Sequence, residues 1–490
     1  MRLRRVFPPL LLCFAACGSN QDTSNPRSYA PDGATPDAAL DAALDAPLDA
    51  APTPDAPPDA PATTAKRIDI TFAGTGRGFV FLTHTESAQK LATCTSSCTL
   101  LVEPSDPEEL TLWGFTPSTF GGWTAVGCSS TTANNCNLGV VTTDRAATVT
   151  FNRDPQEVTT IFPPTRLVGL AMTPDGNLVT ATTTAVSKLN LAGDVLWTTP
   201  MTAVPISSED GGNALTTDAA GNIYGSGGGG LYKLSPDGQI LWTTPVAITL
   251  SGNASFQSVV SASLDGTVIA AHTAGGAHVV DGNGALRFDT SGGADGMAVA
   301  PDGTVAIGVD SDIFLGQETV QLFDKTGNKL ATVGNSDAGI SLIYDPQGFL
   351  SRLATHFSAS DMARFSPALQ PAGADFEHTG FPGAVQAGLA VDPSGNTVIA
   401  RGQAEGGFGP LGLRVKVITP ASTVLWEETK PAKNDQSDGP PPLSDGVTPM
   451  LIAGDGSARF AIGGLYSDDT PWIRISTFQP SSTAKRSTRR

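Results

Sequence analysis

Basic residues, histidines and helix-period patterns are all scarce in this 490-residue chain, and each shortage removes a class of explanation. Lys and Arg number 29 against 47 Asp and Glu, a formal charge of -18 at pH 7, so nucleic acid would be repelled by default. The five histidines, His84, His272, His278, His356 and His378, show no H-x-H or H-E-x-x-H spacing and give no metal motif. No G-x-S-x-G nucleophile elbow is present either; the nearest approach, around Ser336, has the wrong spacing. Charged residues make up only 16%, while Gly (54) and Pro (37) are plentiful, which favours many turns and an all-β architecture over amphipathic helices. Hydrophobic residues at 40% with 7% aromatics can still fill a sizeable core, and the length allows more than one domain.

The chain opens with a basic segment (Arg2, Arg4, Arg5) and an apolar run, Val6 to Ala16, too short to anchor stably across a bilayer. Export is its expected purpose. The stretch Phe14-Ala15-Ala16-Cys17-Gly18 resembles the lipobox of bacterial lipoproteins, which implies a mature chain starting at an acylated Cys17; an ordinary secretory signal with an incidental Cys is the alternative. By the same resemblance, Gly18 in place of Asp implies the outer membrane. Loss of the three leader arginines makes the mature chain more acidic still.

From Gly18 to about Ala65 the composition is Ala, Pro, Asp, Thr and Ser. Asp37, Asp41, Asp45 and Asp49 would stack like charges on one helix face, and Pro47, Pro52, Pro54, Pro57 and Pro58 interrupt what remains. A disordered, self-repelling tether is expected, reaching at most about 150 Å if polyproline-like. The basic tail "AKRSTRR" reads as a solvated end, with a binding element as the alternative.

Four cysteines, Cys94, Cys98, Cys128 and Cys136, remain once Cys13 leaves with the leader and Cys17 carries lipid. An even set in an exported chain reads as two disulfides; a zinc site through C-x3-C and C-x7-C is the rival. They fall in residues 66–152, where alternating segments such as "RIDITF" and "TVTF" indicate strands. The order Gly74-Thr75-Gly76-Arg77-Gly78, Cys94-x3-Cys98, Phe120-Gly121-Gly122-Trp123, Cys128-x7-Cys136 and Thr148-Val149-Thr150-Phe151 resembles the small β-module related to the internalin B-type bacterial repeat. That resemblance implies the bridges Cys94–Cys98 and Cys128–Cys136. Trp123 is expected at the centre of the module's core, or alternatively as an exposed binding aromatic.

The rest of the chain repeats. Turn glycines recur at Gly176, Gly221, Gly266, Gly303, Gly348, Gly395 and Gly456, spaced by 45, 45, 37, 45, 47 and 61 residues. Seven copies of about 45 residues have the size of four-stranded propeller blades. The long last step holds "KPAKNDQSDGPPPLSDG", read as a surface loop. Small and aliphatic runs on both sides of each turn suit sheets covered on both faces, and Trp197, Trp242 and Trp426 recur at one position, which predicts packing between blades. The last copy lacks a closing strand, whereas "QEVTTIF" (Gln156 to Phe162) stands unused before the first, so the two should pair and close the ring.

Gly225, Gly227 and Gly230 match G-x-G-x-x-G, but they lie between strand-like runs with no helix following, so a hairpin is expected rather than a nucleotide loop. The Asp that recurs beside a turn glycine (Asp175, Asp237, Asp265, Asp302, Asp455) reads as a turn device rather than a calcium ligand. The repeat resembles the pyrroloquinoline-quinone-type (PQQ-like) propeller repeat, most clearly at Asp237-Gly238-Gln239-Ile240-Leu241-Trp242, but the vicinal cysteines and calcium ligands of the quinoprotein dehydrogenases are absent. Ser235 to Trp242 also resembles the Asp-box of sialidases, with its Gly displaced. The remaining resemblance is to noncatalytic propellers, including the lipoprotein propeller of the outer-membrane protein assembly machinery.

These readings give an all-β, exported chain: a lipoprotein signal peptide (1–16), lipidated Cys17 with its tether (17–65), a small disulfide-bonded β-module (66–152), a seven-bladed β-propeller (153–480) and a basic tail (481–490). The expected function is noncatalytic binding of a protein or glycan at the cell envelope through propeller loops, by a monomer held to the membrane only through its N-terminal lipid. No catalytic, cofactor-binding or metal residues are expected. The alternatives are a propeller enzyme with a site in its central channel and an outer-membrane assembly scaffold.

Overall fold

The computed structural model describes residues 65–478 except 87–89, 104–108, 125–126, 133, 202–212, 228–229, 247–259, 274–275, 291–293, 311–317, 337–338, 356–358, 373–375, 380–386, 405–410, 431–450, 455–458 and 466–469. The leader, Cys17, the tether, the turn at Gly456, the proline-rich insertion and the basic tail therefore lie outside the described residues. Every regular element among the described residues is a strand, as the composition predicts.

Nine strands come first: β1 (Lys66–Ala73), β2 (Phe79–His84), β3 (Lys90–Cys94), β4 (Cys98–Val102), β5 (Leu110–Phe115), β6 (Thr119–Thr124), β7 (Ser130–Thr132), β8 (Asn135–Gly139) and β9 (Arg145–Asn152). They form two sheets, β4-β1-β9-β6 and β3-β2-β5-β8-β7, with β1 and β9 paired in parallel. Alternation along the strands puts Ile68, Ile70, Val149 and Phe151 of one sheet against Val80, Leu82, Leu112 and Leu138 of the other, so the two sheets share one core. Disulfides Cys94–Cys98 and Cys128–Cys136 fasten this sandwich, the first joining β3 of one sheet to β4 of the other. Trp123 is a correction. It sits on edge strand β6, half-buried beside Phe120, with its indole N–H donating to the Asn134 carbonyl at 2.9 Å. The core proper is built from slimmer aliphatics and Phe151, because an indole N–H needs a polar partner that the sheet interior does not offer.

Seven four-stranded antiparallel sheets follow. The closing strand β10 (Glu157–Ile161) precedes them in sequence. Blade 1 contains β11 (Gly169–Met172), β12 (Leu178–Ala181), β13 (Ala185–Leu189) and β14 (Val195–Pro200). Blade 2 has β15 (Leu215–Thr217), β16 (Ile223–Gly227), β17 (Gly230–Leu234) and β18 (Ile240–Thr244). Blade 3 has β19 (Val260–Ala262), β20 (Val268–Thr273), β21 (Gly276–Asp281) and β22 (Leu286–Asp289). Blade 4 has β23 (Ala294–Val299), β24 (Val305–Asp310), β25 (Glu318–Phe323) and β26 (Lys329–Ser336). Blade 5 has β27 (Gly339–Tyr344), β28 (Leu350–Thr355), β29 (Ala359–Phe365) and β30 (Phe376–Thr379). Blade 6 has β31 (Ala387–Val391), β32 (Thr397–Ala404), β33 (Leu411–Ile418) and β34 (Val424–Lys430). Blade 7 combines β35 (Leu451–Gly454), β36 (Arg459–Leu465) and β37 (Pro471–Thr477) with β10, so a strand from before the first blade completes the last.

The first strands of neighbouring blades touch in sequence order, and β35 returns to β11, which makes the arrangement a closed ring. Small or slender inner residues such as Ala171, Ala262, Ala298, Gly388 and Gly454 let seven strands converge on one axis. Between blades, cores such as Val168, Ala171, Val179 and Val186 with Leu215, Ile223 and Leu234 bury one sheet face against the next.

The outer strands clasp the following blade. Trp197 donates its indole N–H to the Pro236 carbonyl at 3.0 Å, and Trp242 does the same to Gly282. The glycines beneath those rings are required by space and by conformation: a Cβ on Gly238 (φ 83°) would lie 2.7 Å from the Trp197 ring, and one on Gly284 (φ 82°) 2.9 Å from Trp242. Blade 4 carries Ala331 where blades 1 and 2 carry Trp, and the matching turn of blade 5 carries Leu369 at φ 62° in place of Gly. Ala331 and Leu369 pack into the same core, so bulk has moved from the strand to the turn.

The sandwich packs directly onto the ring, and the two fall within one compact unit. On β2, Val80 and Leu82 face the sandwich core while Phe79 and Phe81 are buried among Val398, Val415 and Val417 of blade 6 and Phe460, Ile462 and Trp472 of blade 7. Strand β2 is thus covered on both faces, and each buried Phe stabilises this contact by roughly 1.5–3 kcal/mol of transfer free energy.

Candidate functional site: the axial channel

The convergence of the seven inner strands leaves a channel of about 500 Å³ along the axis. Its wall is made of small, aliphatic and hydroxylated side chains, among them Ala171, Leu215, Ser261, Ala298, Leu342 and Leu389. The turns between first and second strands carry Pro174, Ala219, Leu264, Pro301, Pro346 and Pro393 to one mouth, where Leu264 remains 44% exposed.

Much of the polar wall is already engaged in holding inner strands together. Asn213 accepts the Leu170 N–H at 2.9 Å and donates to the Leu170 carbonyl at 2.7 Å, bridging blades 1 and 2. Thr217 donates to the Met172 carbonyl at 2.9 Å, and Ser261 accepts the Val299 N–H at 3.0 Å. Tyr344 also lines the channel; burial, helped by the Asp302 charge, pushes its phenol pKa well above the ordinary value and keeps it neutral.

Among the described residues two carboxylates, Asp218 and Asp345, reach the channel wall, and both are committed to their own turns. Asp218 accepts the N–H groups of Ala220 (3.0 Å) and Asn222 (2.8 Å), the Asn222 amide (2.7 Å) and the Tyr224 hydroxyl (2.8 Å). Desolvation first, then its bond to Asp218, raises the Tyr224 phenol pKa, so Tyr224 remains a donor. Asp345 accepts the N–H groups of Gln347 and Phe349, both at 2.9 Å, and pairs with Arg364, whose guanidinium lies 4.3 Å from the Phe349 ring centre.

The turns follow one rule. In "DAAGN", "DPQGF" and "DPSGN" the Asp stands first (Asp218, Asp345, Asp392) and accepts the N–H groups two and four residues on. In "TPDGN", "SLDGT" and "APDGT" it stands third (Asp175, Asp265, Asp302), taking an N–H two residues on, and in the first two also the Thr173 or Ser263 hydroxyl. Each described turn of this kind therefore holds one carboxylate, used as a local acceptor in the way the sequence predicts.

Other singled-out residues are not brought together. His84 is on β2, His272 on β20, and His278 pairs across strands with Asp289 at 2.5 Å on the outer part of blade 3; the side chains of His356 and His378 lie outside the described residues. Among the described residues no three His, Cys, Asp or Glu side chains are placed to hold a metal. The four module cysteines are consumed in disulfides, which removes the zinc alternative for them. Ser336 ends β26.

The glycine-rich stretch is a strand pair: Gly225 and Gly227 belong to β16, Gly230 to β17, and Gly227 faces Gly230 across the ladder. The reason for the glycines is steric. A Cβ on Gly225 would lie 2.0 Å from the Tyr232 hydroxyl, and one on Gly230 2.1 Å from the Thr244 carbonyl.

Sequence reasoning missed the charge cluster at the sandwich–ring junction. Arg474 on β37 is 1% exposed; its Nη1 donates to the Pro117 carbonyl (3.2 Å) and to Glu428 Oε1 (3.1 Å). Its Nη2 makes ion pairs with Glu428 (2.9 Å) and Asp154 (3.2 Å) that lack hydrogen-bond alignment. Burial works against the charged guanidinium, but Glu428, Asp154 and Glu157 together raise its pKa further. A lone Arg in an apolar strand, "PWIRISTF", was the available signal.

No family model matches the chain, and no curated protein matches it. Among solved structures, a catalytically inactive virginiamycin B lyase from Staphylococcus aureus, crystallised with quinupristin, aligns at TM-score 0.43 and 11% identity, over 65% of this chain and 98% of that one. The Pan2 WD40 domain of Neurospora crassa aligns at TM-score 0.42 and 12% identity, over 66% and 98%. The Dos1 propeller gives 0.39 and 13%, over 67% and 87%. These likenesses concern the fold and carry no argument about activity.

Proposed function

We propose that this chain is a noncatalytic lipoprotein of the cell envelope, lipidated at Cys17, whose propeller binds a protein or glycan at the channel mouth formed by the first turns of its blades. The observation that carries the binding reading is the commitment of both carboxylates that line the channel among the described residues, Asp218 and Asp345, to turn amides and to Tyr224 or Arg364. General acid–base work needs a carboxyl or imidazole able to exchange a proton with substrate, whereas an apolar rim with hydroxyls behind it suits recognition. The lipobox-like stretch and the acidic tether support the envelope address, and the cysteine pairs fit an oxidising compartment. The order of cysteines and the Gly-Trp step supports kinship of the sandwich with internalin B-type repeats.

Photocrosslinking side chains placed at Leu264 and Pro301 in the native envelope should capture one defined component that a probe at Leu425, on the ring's outer edge, does not. A mouth that captures nothing, or only what Leu425 captures, overturns the reading. Mass spectrometry of the mature N-terminus should find Cys17 acylated; an unmodified Cys17 removes the anchor.

A further inference from the structure

In the first six blades the outermost strand follows its neighbour directly in the chain, while in the seventh it comes from the far end of the ring. The seam between β10 and β37 is short: Glu157↔Ser476, Thr159↔Ile475, Thr160↔Arg474 and Ile161↔Ile473, interrupted by an irregularity after Glu157. Bringing together two strands some three hundred residues apart carries a loop-closure cost that hairpin-linked strands do not meet.

The surface that receives the sandwich is assembled from both sides of that seam. Phe162, directly after β10, meets Phe79 edge-on with ring centres 5.7 Å apart, while Trp472 of β37 and Phe478 just beyond it come from the other side and enter the same cluster. The polar fastenings repeat the pattern. Ser118 donates to Glu157 at 2.7 Å and Thr119 donates to Asp154, tying the sandwich to the closing segment. Arg474 opposite gathers Asp154, Glu428 and the Pro117 carbonyl, so one buried cation holds the seam, blade 6 and the sandwich together.

We infer that the sandwich is the clasp of the ring: its docking through Phe79, Phe81 and the Arg474 cluster and the closure of β10 onto β37 are a single cooperative event. Neither half of the docking surface is complete while the seam is open. An undocked sandwich leaves Arg474 without the Pro117 carbonyl and Glu157 without Ser118, polar losses inside a buried junction. Opening and closing of the propeller are thereby controlled from a domain outside it.

The test is hydrogen exchange on the full chain carrying Phe79→Asp with Phe81→Asp. Amides of β10 and β37 should lose protection by about 100-fold or more, while those of β15–β22 in blades 2 and 3 and of the β1–β9 pair keep theirs. Undocking shown by new accessibility of Trp113 to a quencher, with seam protection unchanged, overturns the inference. Should the double variant fail to accumulate as a folded protein, exchange of the unmodified chain across a urea series decides. A clasp requires the accessibility of Trp113, which packs against the junction cluster, and the exchange of β10 and β37 to share one opening free energy and one urea dependence, and a seam that opens at lower urea than Trp113 becomes accessible overturns it.

Discussion

Replacing Tyr232 by Phe should make this protein more stable, although it deletes a polar atom from a packed interior. Tyr232 is 3% exposed on β17, within the core between blades 1 and 2, and its hydroxyl has no hydrogen-bond partner among the described residues. The ring lies over Gly225, in a core shared with Val168, Val179, Ala214, Ile223 and Leu234. A buried, unsatisfied hydroxyl costs about 1–3 kcal/mol. Removing one oxygen leaves a space of roughly 10 Å³, which at about 24 cal/mol per Å³ returns only some 0.2 kcal/mol of that gain. Tyr232→Phe should therefore raise stability by about 1–2 kcal/mol, read as an upward shift of the urea midpoint at pH 7 with an unchanged slope. The pH dependence has a definite sign. Burial raises the Tyr232 pKa in the folded state, so its contribution is fully present below the unfolded value of about 10 and is lost as pH rises beyond it, because the unfolded chain releases the proton first. The advantage of the Phe variant should widen above pH 10. A variant that is less stable at pH 7 would show that the hydroxyl has a partner, and a gap that stays constant into alkali would show that the phenol is not desolvated; either result refutes the reasoning.

The exchange of bulk between Ala331 and Leu369 predicts coupling: Leu369→Gly should be destabilising alone, and Ala331→Phe should restore stability in that background, with an interaction energy of about 1 kcal/mol or more in a double-mutant cycle. Gly238→Ala, facing the Trp197 ring at positive φ, should cost more than about 1 kcal/mol in chemical denaturation, and less when Trp197 is first shortened to Leu. Acid should unfold the ring through its turns. Burial would raise the Asp175 pKa, but Thr173, Lys188 and Asn177 outweigh it and hold the carboxyl far below its unfolded value of 3.8, and Thr326 and Asn328 do the same for Asp324. Those contributions are present above about pH 4 and fade as pH falls below it, so the deficit of an Asp175→Asn variant should be plain at pH 6 and shrink toward pH 2 in thermal melts.

The repeat was legible because its signals are local. A glycine at φ 79° after Asp175, or at φ 76° after Ser394, reports a turn that five residues define by themselves, and the same five residues recur. The closing strand was legible by subtraction, since "QEVTTIF" had no other place to go and pairs with β37. The clasp was not legible in the same way. Arg474 and Pro117 meet across 357 residues, and the lone Arg of "PWIRISTF" signals burial without indicating the partner across the junction. Strand β2 offered a second hint, because "FVFLT" is apolar at every position to Leu82, while a sheet with one wet face would alternate. Trp123 misled for a related reason: its bulk suggests a core, but its N–H draws it to the rim where the Asn134 carbonyl is available.

The turn rule also bears on what the channel can recognise. Three of the described first-strand turns place Asp at their first position, beside the inner strands; in the other three, Thr173, Ser263 or Ala300 stands there and the Asp moves two residues outward. A carboxylate at the first position points its two oxygens at backbone and neighbouring donors, as Asp218 and Asp392 do, and a charge so occupied adds little to ligand binding. Folding has thus taken the acidic groups nearest the axis for itself. On the proposed reading, selectivity at the described mouth would rest on the shape of the rim of Pro174, Leu264, Pro301, Pro346 and Pro393 and on hydroxyls deeper in, and charge-reversed ligands of equal shape should be distinguished there far less than ligands differing in apolar outline. Affinity for a captured component that changes little between 50 and 300 mM salt would agree with this, and a steep loss across about that range would place recognition on charged surface elsewhere on the ring.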